Sequence, residues 1–289
     1  MIIGHQKQWN FLKKRAAQGD FSHAYLFCGP EQVGKKKMAL EWASLLVGKE
    51  MPKFQHPDLL FLESEGKDIQ IGQIKELIWS LSLKPYSAPV KVAIIDNANL
   101  MNQEAQTSLL KTLEEPKGKS VIILVSQEPE QLLPTILSRV QVLKFYPVSQ
   151  KEIADYLKKN GISQKEAENV SSLTCGKPGM ALDFLADPNL SKKIQQKAQD
   201  LNKILGENLP FRFQYAQALS ENSEEVKETL KIWLYSAREL LMSKIKDSED
   251  SSSIGKLKSI LQEIQKTFYL ISKTNVNAKL ALETLMLSF

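Results

Sequence analysis

Cysteine is nearly absent. Cys28 and Cys175 are the two in 289 residues, and two cysteines make no disulfide framework. Both are expected as reduced, buried thiols of a cytoplasmic protein. Long apolar runs are missing too. None reaches the roughly 18 residues needed to cross a bilayer as a helix, so no membrane is expected among its partners. The opening MIIGHQKQWN lacks the charged start, apolar centre and small-residue cleavage site of a secretory leader. Charge of one sign is scarce as well. Thirty-eight Lys and Arg face 33 Asp and Glu, a net of +5. The lysines alternate with acids along the chain and read as solvated helix faces rather than a nucleic-acid stripe. No aromatic–basic pattern marks a platform for single strands.

What is present is ordinary for a soluble globular protein: 43% hydrophobic and 25% charged residues. The length predicts about two or three domains.

The chain is organised around residues 92–139. Residues 92–95, VAII, form a β-branched apolar run that suits a strand buried on both faces. The run ends on Asp96. An acid at the C-terminal end of such a strand points into the crevice where α/β sheets place ligands. A helix follows, capped by Asn102, with Glu104 in its first turn and a stripe through Ala105, Leu109, Leu110 and Leu113. Pro116 stops it. Residues 121–125 form a second buried strand, and a proline-punctuated segment leads to Ser138 and Arg139.

Two motifs in this stretch, LLKTLEEP at 109–116 and LLPTILSR at 132–139, resemble the clamp-loader branch of the AAA+ ATPases. That resemblance spans nearly the whole chain and is strongest over residues 23–145. It implies an α/β fold: a Rossmann-like P-loop module with a parallel sheet over residues 1–148, a helical lid over 149–187, and an all-α collar over 188–289. It also implies a hetero-pentamer with motor subunits and a delta-type subunit, acting on a sliding clamp and primed DNA.

The N-terminal half is consistent with a P-loop module. Residues 24–28 read as a strand and residues from Met38 as a helix. Between them, Gly29-Pro30-Glu31-Gln32-Val33-Gly34-Lys35 has the spacing of a phosphate-binding loop, in which backbone N–H groups face phosphates and a lysine neutralises them. The plainer reading of this segment is a tight strand-to-helix turn.

Two positions depart from the working pattern. The residue after Lys35 should be Ser or Thr, whose hydroxyl holds Mg²⁺. Here it is Lys36, and an ammonium repels a cation. Working members of the family follow the acid at 96 with a glutamate. Here Asn97 follows, and it is no general base. Together these argue against turnover, and a motor subunit of the same family would have to tolerate both. Gly29, Gly34, Lys35, Lys36 and Asp96 leave two readings open: a loop that still holds a nucleotide without productive Mg²⁺, and one that holds none. No cofactor is required on this reading.

Other positions follow from the resemblance. Many relatives insert a four-cysteine zinc module near residues 47–63. This segment offers His56 alone, so no zinc is expected. Ser126 and Gln127 stand where the family keeps a polar residue facing the terminal phosphate; the plainer reading is strand-end polarity. Lys177 precedes Pro178 where an arginine is usual. Ser138 and Arg139 match the family's Ser-Arg-Cys motif with Val140 as third residue. The resemblance implies that Arg139 is an arginine finger acting on the neighbouring subunit's ATP. The plainer alternative is that Arg139 pairs with a local surface acid.

Helical spacing also marks residues 5–18, 69–83, 149–159 and 163–173, and apolar stripes run through 194–205, 226–241 and 260–271. Residues 247–253 read as a polar connection. Trp233, Tyr235 and Phe268 are expected as buried aromatics.

Overall fold

The computed structural model describes residues 2–48, 56–64, 68–116, 118–246 and 251–289. The chain divides into two compact units, residues 1–163 with 176–180, and residues 164–175 with 181–289.

The first unit is built on a parallel five-stranded sheet. Its strands are β1 (Ala24–Cys28), β2 (Leu59–Leu62), β3 (Lys91–Ile95), β4 (Ser120–Ser126) and β5 (Gln141–Lys144). The spatial order is β2-β3-β4-β1-β5. Each neighbouring pair is parallel. β1, β3 and β4 are buried along their whole length, which is why their sequences run apolar without alternation. Alternation instead sorts residues onto the two faces. Ala24, Leu26, Ala93, Ile95, Ile122 and Leu124 join one core. Tyr25, Phe27, Val92, Ile94, Val121 and Ile123 join the other.

Helices cover both faces: α1 (Gln6–Gln18), α2 (Lys35–Val47), α3 (Ile71–Ser82), α4 (Gln103–Glu114) and the single turn α5 (Pro134–Leu137); α6 (Gln150–Lys159) follows the sheet in the same unit. The Trp42 indole N–H donates to Leu12 O at 3.1 Å and ties α2 to α1. Asn102 caps α4 as expected, its side chain accepting the Ala105 N–H at 2.8 Å.

β5 was not legible in the sequence. It has four residues, polar at both ends, and Val142 is exposed, so no apolar run announces an edge strand. Two helix starts also moved. α2 begins at Lys35 rather than Met38. Three lysines at the positive end of a helix are unfavourable locally; Lys35 is held by loop carbonyls, Lys36 by Glu63 and Asp96, and Lys37 by Glu41. α3 begins at Ile71, because Ile69 is taken by a bridge to Met101 and donates to Leu100 O at 2.8 Å.

The second unit is helical. It holds α7 (Gln164–Leu173), most of α8 (Pro178–Ala186), α9 (Pro188–Gly206), α10 (Leu209–Ser220), α11 (Ser223–Lys246), α12 (Ser251–Lys273) and α13 (Ala278–Ser288). Leu201, Val226, Leu230, Trp233, Ile264, Leu282 and Leu285 form its core. The Trp233 N–H donates to Lys197 O at 2.9 Å. α10 falls inside the region expected to be all-α, but no apolar stripe marks it, because its apolar residues do not repeat at helical spacing. Of the expected polar connection, residues 247–250 lie outside the described residues, and Ser251–Ser253 open α12.

Three burial expectations need correction. Cys28 is buried, but Cys175 is half-buried. Trp233 is fully buried, whereas Tyr235 and Phe268 are half-buried. Tyr235 lies two residues from Trp233, about 200° around the helix, and so leaves the core face. No described helix is long and apolar enough to cross a membrane.

Candidate functional site

The loop from Gly29 to Lys35 leaves the C-terminal end of β1 and enters α2, beside the end of β3. In this strand order β1 lies between β4 and β5, so the loop opens at the crevice where such sheets bind ligands. Gly29 has φ +147, and a Cβ there would meet Phe145 O at 2.2 Å. Only glycine lets the loop pass that close to the chain after β5.

The loop carbonyls are closed off by contacts within the unit. Lys35 Nζ donates to Gly29 O at 2.6 Å and to Pro30 O at 2.5 Å. The Gly179 N–H donates to Gln32 O at 2.9 Å. His5 Nε2 lies 3.1 Å from Val33 O. A carbonyl only accepts, so this nitrogen carries the proton. Met38 N–H closes on Gly34 O at 2.9 Å, the first turn of α2.

Lys35 is buried. Burial pulls its pKa from 10.5 down to about 8, with Lys177 pushing the same way and Asp96 and Glu31 opposing. Lys177 is buried too.

Lys36 takes a different position. Its Nζ lies 2.5 Å from Glu63 Oε1 and 3.5 Å from Asp96 Oδ2, and sits over the Phe61 ring at 5.0 Å from the centroid. Asp96 follows β3, and Glu63 follows β2, the neighbouring strand. An ammonium therefore stands between the two carboxylates at these strand ends. A divalent cation needs oxygen ligands and would meet a fixed positive charge instead. The donor set does not fit Mg²⁺.

Asn97 takes a left-handed conformation at φ 51, and its N–H donates to Asp96 Oδ1 at 3.0 Å. Ser126, at the end of β4, is buried, donates to Asn99 Oδ1 at 3.2 Å and accepts the Glu128 N–H at 3.2 Å, contacts that fit the reading of strand-end polarity.

The second candidate group lies around α5. Arg139 Nη1 donates to Thr135 O at 2.9 Å and to Ser138 Oγ at 3.1 Å. Its Nη2 lies 2.7 Å from Glu114 Oε1. The local-acid partner is thus present, and it comes from the LLKTLEEP run itself. The segment is held on α4 by Gln106. That amide donates to Met101 O at 3.0 Å and Gln131 O at 3.2 Å, and accepts the Leu133 N–H at 2.8 Å. Its two donors and its oxygen are all used, so the contact costs no unsatisfied polar group.

Sequence reasoning missed Glu63, Glu114 and Gln106. Glu63 obeys the strand-end rule that singled out Asp96. Gln106 stood four residues after the cap, on the face of the apolar stripe, which was a usable signal.

One cluster imitates a nucleophilic triad. Ser87 Oγ lies 3.2 Å from His56 Nε2, and His56 Nδ1 lies 3.8 Å from Asp58 Oδ2. However, Nδ1 accepts the Asp58 backbone N–H at 3.1 Å. The neutral ring therefore carries its proton on Nε2 and donates to Ser87, so it cannot take that proton. Burial would raise the Asp58 pKa. The N–H groups of Ser87, Tyr86 and Ala88, with His56 beside them, outweigh it and hold the carboxyl below its usual range. The cluster clamps a loop.

The fold defines a class: a parallel α/β module of the AAA+ type with a helical unit. Its sequence matches the family described as DNA polymerase III, delta subunit, over residues 4–149. The chain belongs to that family. It is 35% identical over 167 residues to DNA polymerase III subunit delta' of Bacillus subtilis, covering 53% of this chain and 51% of that one. It is 34% identical over 151 residues to subunit delta' of Pseudomonas aeruginosa, covering 46% and 45%. The chain thus spans about half the length of these curated relatives. A crystal structure of a DNA polymerase III gamma subunit-related protein from Thermotoga maritima shares the fold, with a TM-score of 0.57, 22% identity, and coverage of 96% of this chain and 97% of that one.

Proposed function

We propose that this chain is a delta-prime-type subunit of the DNA polymerase III clamp loader. On this reading it is a stator in a hetero-pentamer, with residues 149–187 as lid and 188–289 as collar. It helps motor subunits and a delta-type subunit place a sliding clamp on primed DNA in the cytoplasm. It needs no cofactor and no zinc, and any nucleotide in its loop is held without productive Mg²⁺. Arg139, oriented by Ser138, acts as an arginine finger toward the neighbouring motor subunit's ATP.

The observation that carries the inactive reading is Lys36. Its ammonium lies between Glu63 and Asp96, where a metal-dependent ATPase needs a cation. Asn97 adds a second defect, since an amide accepts no proton from water. The arginine reading is supported by the half-exposed guanidinium at the end of α5, held by a backbone carbonyl and a hydroxyl.

The test is the clamp- and DNA-stimulated ATPase rate of the reconstituted loader, with wild-type chain and with Arg139→Ala. The expected result is no hydrolysis by the isolated chain and a fall in loader rate with the variant while assembly survives. An unchanged loader rate removes the finger. Hydrolysis by the isolated chain removes the stator.

A further inference from the structure

Two acids precede the final proline of LLKTLEEP, and they face different surroundings. Glu115 lines the cleft between α3 and α4, a cavity of about 500 Å³ that Trp79, Lys75 and Lys111 share. Glu114 pairs with Arg139 at 2.7 Å. We propose that Glu114 is the resting partner of Arg139 within the chain, a carboxylate that the neighbouring subunit's phosphoryl group displaces. This inference rests on the finger role proposed above for Arg139.

The guanidinium has five N–H donors. Three are engaged here, on Thr135 O, Ser138 Oγ and Glu114 Oε1. The first two contacts are local, within four residues of Arg139, and stay with it wherever the segment goes. The third is to another element and is electrostatic. Both side chains remain wet, 35% and 51% exposed. A pair of that exposure is worth about two- to five-fold in an equilibrium constant, so it orders the guanidinium without trapping it. A phosphoryl group carries more negative charge than one carboxylate and matches the same planar fork. It wins the exchange, while Glu114 keeps the guanidinium ordered until then.

Glu114 is thus a positioning residue, and its effect must pass through Arg139. The experiment is steady-state ATP hydrolysis by the reconstituted loader with wild-type chain, Glu114→Gln, Arg139→Ala and the double variant. Glu114→Gln should lower KM and raise kcat/KM by about two- to five-fold, because the guanidinium no longer leaves a charged partner. That gain should vanish when Arg139 is alanine. If Glu114→Gln changes nothing while Arg139→Ala lowers the rate, the resting-partner role fails and the finger stands. If the gain persists without Arg139, Glu114 acts elsewhere and the inference also fails. If Arg139→Ala leaves the rate untouched, the finger reading falls and takes this one with it.

Discussion

The Lys36 ammonium lies 2.5 Å from the Glu63 carboxylate, across the ends of two adjacent strands. The side chain is not buried, so the pair adds little to stability. Its consequence is electrostatic: one tethered positive charge sits where two acids would otherwise invite a metal. Lys36→Thr should therefore gain Mg²⁺-dependent nucleotide binding, read as fluorescence of a labelled nucleotide titrated with and without Mg²⁺. Hydrolysis should stay absent, because Asn97 remains. Equal binding in both conditions would show that Lys36 is not what excludes the cation.

Lys35 makes the stability depend on pH. It releases its proton near pH 8 in the fold and near 10.5 when unfolded. Between those values the unfolded chain binds more protons, so stability rises with pH. Below about pH 8 both states are charged, and the penalty of the buried ammonium is complete. The urea midpoint of the wild type relative to Lys35→Met should climb from pH 8 to 10.5. A flat difference would mean that the ammonium is not desolvated.

Gly29→Ala should cost about 2–4 kcal/mol in chemical denaturation, from a left-handed φ and a Cβ driven onto a backbone oxygen. Phe145 O cannot retreat easily, since the Phe145 N–H bonds Cys28 O at 2.8 Å. Gly19→Ala is the control. Its φ is +66, but nothing lies within 4 Å of the added carbon, so only the conformational cost of about 1 kcal/mol applies. Similar losses at both sites would refute the packing argument.

Thr229 is fully buried in α11, and its hydroxyl has no hydrogen-bond partner among the described residues. Thr229→Val keeps the shape and removes the stranded oxygen. It should raise stability by about 1 kcal/mol, seen as a higher melting temperature. A loss of stability would indicate a partner for that hydroxyl.

Much of the sheet was legible. VAII and VIILV have no polar residue to place toward water, so they read as buried strands, and Asn102 and Pro116 mark the two ends of α4 through backbone chemistry alone. β5 was not legible, because an edge strand of four residues with polar ends has no periodicity to detect. The bounds of α10 within the expected all-α region were hidden for a related reason: its aromatic residues are scattered around the helix.

The candidate site divides in the same way. Sequence by itself determined the chemistry that is missing: a hydroxyl at 36 and a carboxylate at 97 are absent whatever the fold. It also determined the glycine spacing of the loop and the Ser-Arg pair at 138–139. Tertiary structure decided the partners. Glu63 and Lys36 are 27 residues apart in the chain, and Glu63 reaches the ammonium beside Asp96 because β2 lies next to β3. Glu114 meets Arg139 because Leu132 and Ile136 pack into the core that α4 lines and Gln106 bonds Gln131 and Leu133. Residue types set which interactions are available, while long-range strand order and side-chain reach select among them, and no local pattern encodes that choice.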